Sequence, residues 1–96
     1  MRLEESRKLI DEIDTEIVAL LNRRAALSRE IGRLKTQAGL PVLDSDRENL
    51  VLHKIVRDNS GEIDPDSLTR IYREVLKESR RIQTRLQASS KRGVYR

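Results

Sequence analysis

Apolar residues recur at steps of three and four through the first third of the chain. Leu9, Ile10, Ile13, Ile17, Leu20, Leu21, Leu27, Ile31 and Leu34 fall on one side of a cylinder with 3.6 residues per turn, and charged residues fill the other side. Nothing but Gly32 interrupts residues 3–37 with a Gly or Pro. The pattern predicts one helix of about 33 residues, about 50 Å long at 1.5 Å per residue. The segment Ala38-Gly39-Leu40-Pro41 ends it. A second helix opens within residues 43–48, where Ser45 and Glu48 stand at capping-box spacing. Leu50, Val51, Ile55 and Val56 form its apolar face, and it stops near Asn59-Ser60-Gly61. Asp64 as N-cap and Pro65 in the first helical position start a third. One side of that helix reads Leu68, Ile71, Tyr72, Val75, Leu76, Ser79, Ile82, Gln83 and Leu86, an apolar stripe broken by two polar residues. After Ala88 the periodicity is lost, which predicts a flexible basic tail over residues 89–96. The fold class is therefore all-α: one domain over residues 1–88, three helices, no strands and no internal repeats.

Length makes the first helix a problem. A globule of this size has a radius of gyration of ~13 Å. A 50 Å helix outruns it, and most of the apolar stripe stays wet in a compact monomer. Composition points the same way. The 96 residues are 36% hydrophobic and 38% charged, without Trp or Phe, which leaves little for a self-sufficient core. A second copy of the chain covering the stripe, a homodimer, is the economical arrangement.

The same composition removes several kinds of chemistry. With no Cys there is no disulfide framework, thiolate metal site or cysteine nucleophile. A single His, His53, argues against a His-based metal site or a Ser-His-Asp triad. The longest apolar run, Ile17 to Leu21, falls far short of the ~20 residues of a membrane span. Residues 1–8 are too acidic and polar for a secretory or transit signal, so a cytoplasmic protein without membrane attachment is expected. Net charge is +4, and fifteen Arg outnumber five Lys. Arg presents a planar fork that matches carboxylate or phosphate. The charges are interleaved and aromatic residues scarce, which argues against a nucleic-acid partner.

Spacing then groups the polar residues. Arg24 and Lys35 are almost three whole turns apart and project from one face, their Cα atoms ~16 Å from each other, so two long cations could grip a small dianion. Arg7 lies ~25 Å before Arg24 and a quarter turn round. It cannot reach the same ligand from the same helix, but it could from the partner helix of an antiparallel dimer. Ser79 and Gln83 share a face at four-residue spacing, and near a core they need hydrogen-bond partners from protein or ligand. A satisfied helix–helix contact would explain them equally well. Asp44, Arg47 and Glu48 gather on the first turn of the second helix, where capping by carboxylates alone accounts for the acids.

In this order and spacing the residues resemble the all-helical chorismate mutases. The resemblance covers about residues 3–87. It rests on the stretch from Arg7 to Asp14, the run from Ile17 to Arg24, Ile31-Gly32-Arg33-Leu34-Lys35, the stretch from Pro41 to Glu48, and Glu78-Ser79-Arg80-Arg81-Ile82-Gln83. It implies conversion of chorismate to prephenate in phenylalanine and tyrosine biosynthesis. It also implies an intertwined homodimer with two sites, each built from both subunits, and no cofactor or metal. By the same resemblance, Arg7 of the other chain, Arg24 and Arg47 meet carboxylates, and Lys35 and Gln83 meet the ether oxygen. Glu48 and the backbone near Asp44 would bind the ring hydroxyl, with Ser79 assisting at a carboxylate. The catalytic set is then Lys35, Gln83 and Arg24. An isochorismate pyruvate-lyase looks like the same fold with a different loop, and the intact stretch from Asp44 to Glu48 favours the mutase. A non-catalytic helical dimer would not need Ser79, Gln83 and Lys35 together.

Overall fold

The helices form where the apolar period and the stop signals place them. The computed structural model of the chain describes residues 2–91. In it α1 spans Leu3–Ala38, α2 Ser45–Asp58 and α3 Pro65–Lys91. Gly39 stops α1 with φ 69°, a left-handed conformation that costs a Cβ-bearing residue more than glycine. The turn closes through Leu40 N–H donating to Lys35 O at 2.8 Å. The N-cap of α2 is Asp44, whose carboxylate accepts from Arg47 N–H at 3.0 Å. Ser45 is already helical, so the capping box expected from Ser45 and Glu48 does not form. Either residue type caps well, and a carboxylate also meets the positive end of the helix dipole. At α3 the expected cap is present: Asp64 Oδ2 accepts from Ser67 N–H at 3.2 Å, and Pro65 follows it.

A second boundary differs from expectation. α3 continues through Ser89 and Ser90 to Lys91, three residues past Ala88. Polar residues lacking Gly or Pro do not stop a helix once its nucleus has formed. The remainder of the expected tail, residues 92–96, lies outside the described residues.

Packing is sparse and specific. α1 and α2 both pack on α3 and not on each other. The buried apolar side chains are Leu52 of α2 and Leu76 and Leu86 of α3. From α1 the buried residues are small, Ser28 and Gly32. A Cβ at Gly32 would stand 3.1 Å from Gln83 Cα and 3.2 Å from Leu86 Cδ2, so glycine lets the two backbones approach here. The stripe on α1 stays uncovered: Leu9, Ile13, Ile17, Leu20, Leu21, Leu27, Ile31 and Leu34 are 45–65% exposed. The chain measures 55 × 27 × 15 Å with a radius of gyration of 16.9 Å, well above the ~13 Å of a globule of its length. Among the described residues, no helix is long and apolar enough to cross a membrane.

Candidate active site

Because α1 and α2 share only α3 as a neighbour, a cleft opens between them with α3 as its floor. It holds a cavity of about 270 Å³. α1 lines it with Arg24, Ser28, Ile31 and Lys35, and the α1–α2 loop with Val42 and Asp44. α2 adds Arg47, Glu48 and Val51, and α3 adds Leu76, Ser79, Arg80 and Gln83. The volume sits at the small end of ligand pockets, ~300–1,000 Å³. It suits a small acid rather than a dinucleotide. All the residues singled out in the sequence line it except Arg7, which pairs with Glu4 at 3.1 Å on the exposed start of α1.

Lys35 and Gln83 form one donor unit. Lys35 Nζ donates to Gln83 Oε1 at 3.0 Å and to Val42 O at 2.7 Å. An ammonium only donates, so the amide must turn its oxygen toward Lys35 and its NH₂ away from it. Lys35 keeps a third N–H. Gln83 is buried, and Gly32 is what allows its backbone to lie against α1. The bond to Val42 also ties the α1–α2 loop to the site, and Gln87 Nε2, donating to Leu40 O at 3.2 Å, ties it to α3.

Arg24 is fixed from two sides. Its Nη1 donates to Ser79 Oγ, and its guanidinium lies 5.6 Å from the centroid of the Tyr72 ring, in cation–π range. Ser28 Oγ donates to Ser79 Oγ at 3.0 Å. With both acceptor positions of Ser79 used, its own proton is left to donate elsewhere. The two polar interruptions of α3 thus serve two different cations, Ser79 serving Arg24 and Gln83 serving Lys35.

On the α2 side, the Asp44 carboxylate is engaged as the helix cap. Arg47 is exposed at the rim. Glu48 accepts from Arg80 Nη1 through both carboxylate oxygens, at 2.5 and 2.7 Å. Ser28, Arg80, Tyr72 and Gly32 were not among the residues expected here. Ser28 had a signal, because Arg24, Ser28 and Lys35 share one line of α1. Arg80 had none that separates it from the other arginines. The cavity side chains carry an excess of two positive charges, suited to a dianion. Outside the cavity, a hydrogen bond from Arg33 holds Glu30 below the usual carboxylate range, and one from Arg81 does the same to Glu78.

Such a cleft sets Arg24, Lys35, Arg47 and Arg80 beside the neutral donors Ser79 and Gln83, an arrangement suited to a small anion. Residues 6–84 match the chorismate mutase type II family, and the chain belongs to it. It is 44% identical over 78 residues to the bifunctional chorismate mutase/prephenate dehydratase of Aquifex aeolicus (strain VF5), covering 77% of this chain and 22% of that protein. The chain therefore spans about a fifth of the length of that relative. The form II structure of chorismate mutase from Thermus thermophilus superposes with a TM-score of 0.86 at 34% identity, covering 88% of this chain and 97% of that one. The chorismate mutase of Helicobacter pylori in complex with prephenate gives 0.80 at 30% identity, covering 88% and 91%.

Proposed function

We propose that this chain converts chorismate to prephenate in the biosynthesis of phenylalanine and tyrosine. The observation that carries the reading is the Lys35–Gln83 donor unit facing the same 270 Å³ cavity as Arg24, Arg47 and Ser79. The reaction is a rearrangement within one molecule. The ether C–O bond breaks while a C–C bond forms between the enolpyruvyl methylene and the ring carbon bearing the carboxylate. No atom of the protein enters the bond changes, so no nucleophile, cofactor or metal is called for. What remains is to hold the arm folded over the ring and to meet the charge that grows on the ether oxygen. Arg24 and Arg47, with Ser79, hold carboxylates. The free N–H of Lys35 and the NH₂ of Gln83 tighten on the ether oxygen as it becomes negative, and only such differential binding raises the rate. Glu48 and the backbone near Asp44 take the ring hydroxyl.

The working unit in this reading is a homodimer. Two observations support it. The α1 stripe is about half exposed along its whole length, an area that single soluble chains seldom leave open. Beside the site, a second cavity of about 480 Å³ has an apolar wall of Leu50, Val51, Ile55, Leu68 and Tyr72, with Arg24, Arg47, Lys54, Asp58 and Asn59 completing the lining. An α1 helix of a second copy lying there would cover the apolar wall and deliver its Arg7 to the substrate. The reading puts the chain in the cytoplasm, without a membrane or nucleic-acid partner.

The test is the loss of chorismate ultraviolet absorbance with purified protein, with prephenate as the product. No loss overturns the mutase reading, and release of pyruvate from isochorismate would assign the lyase instead. Sedimentation should give about twice the 11.1 kDa chain mass. A monomer with full turnover would contradict the shared site.

A further inference from the structure

The outer face of α3 carries Arg73, Lys77 and Arg80 on successive turns, and all three line a cavity of about 360 Å³ behind the candidate site. Glu48 borders this outer cavity as well as the inner one, and the outer one is lined by the cations Arg73 and Lys77 together with the acid Glu74. Of the three cations, only Arg80 also lines the inner cavity, and it is Arg80 that holds both oxygens of Glu48. The pair is largely sheltered, with side chains 35% and 22% exposed. A charge-assisted bond to both oxygens orients a carboxylate more firmly than one contact does.

We propose that Arg80 is a positioning residue: by holding Glu48 it keeps that carboxylate at the wall of the inner cavity, aimed at the substrate's ring hydroxyl, and prevents it from turning outward to Arg73 and Lys77. This rests on the mutase reading for the hydroxyl, but not for the placement of Glu48. Arg80 itself makes no contact with the reacting atoms in this scheme.

The experiment is a double-mutant cycle with Arg80→Met, Arg80→Lys, Glu48→Gln and the Arg80→Met/Glu48→Gln pair, each checked for helicity. Arg80→Met should lower kcat/KM by about tenfold or more, the order of one charge-assisted hydrogen bond. Arg80→Lys should recover part of the loss. In the Glu48→Gln background, Arg80→Met should cost almost nothing further, because the group it positions is gone. An equal loss in both backgrounds would mean that Arg80 touches the substrate directly and would overturn the proposal, as would no loss at all. Carboxyl carbon NMR of Glu48 supplies a readout independent of turnover. Its resonance should move and broaden in Arg80→Met and be restored in Arg80→Lys. If wild-type protein leaves chorismate untouched, the functional reading fails while this spectrum still decides the role of Arg80, and an unchanged Glu48 signal overturns it.

Discussion

An amide at position 83 donates N–H at every pH, whereas a carboxyl in its place donates only when protonated. Lys35, 3.0 Å from Gln83 Oε1, would favour the ionised form of such a carboxyl and delay its protonation on acidification. Gln83→Glu should therefore be slow at neutral pH and gain kcat as pH falls. The wild type should show no acid requirement from this position. A pH profile of kcat for the two proteins checks this, and coincident profiles would remove Gln83 from the ether oxygen. Gln83 was legible in the sequence because it breaks an apolar stripe at four residues from Ser79. Arg80 was not, and Ser28 showed only in its alignment with Arg24 and Lys35 along α1. A serine inside a charged helix and one arginine among fifteen look like solvated surface until the tertiary fold supplies Ser79 and Glu48 as their partners.

At the scale of the element, Gly32 sets how α1 meets α3. Substitution by Ala in a helix interior gains up to about 1 kcal/mol in propensity. Against this, the new Cβ would stand 3.1 Å from Gln83 Cα, a backbone atom that cannot rotate away. The helices must part by a few tenths of an ångström just where Gln83 takes its bearing from Lys35. Gly32→Ala should therefore cost activity out of proportion to stability. Its melting temperature should move by only a few degrees, in line with offsetting contributions of about 1 kcal/mol, while kcat falls about tenfold or more, as misplaced catalytic groups do. Parallel thermal melts and steady-state kinetics measure both, and an unchanged kcat would show that the close approach does not matter for the site. Helix boundaries were readable because caps and breakers are local: Gly39, Asp64 and Pro65 act on their own neighbours. The one-residue change at Asp44 and Ser45 came from two adjacent residues that are both good caps, a competition that local pattern leaves open.

The whole molecule is where Arg7 belongs. If each site takes Arg7 from one copy and Lys35 from the other, the two defects can complement. Arg7→Ala and Lys35→Ala proteins should each be nearly inactive alone. Mixed and allowed to exchange subunits, half of the dimers become heterodimers, each with one intact site of two, so activity should return to about a quarter of wild type. No recovery after verified exchange would mean that each site takes Arg7 and Lys35 from the same chain. The extended shape of 55 × 27 × 15 Å and the open apolar stripe agree with a fold finished by a second chain.

Periodicity, caps and breakers determined the three helices, and the order of polar residues determined the family likeness, because both are written in short-range spacing. The thin core was visible as well, in a helix too long for a chain of this size. The tertiary structure decided the rest. It showed that the residues α1 buries are Ser28 and Gly32, while its leucines and isoleucines stay about half exposed, and that Lys35 turns the Gln83 amide so that its NH₂ faces away. It also paired Arg80 with Glu48. Each of these joins side chains at least 30 residues apart in sequence, such as Arg80 and Glu48 at a separation of 32. Spacing along one helix carries no information about which residue of another will meet it.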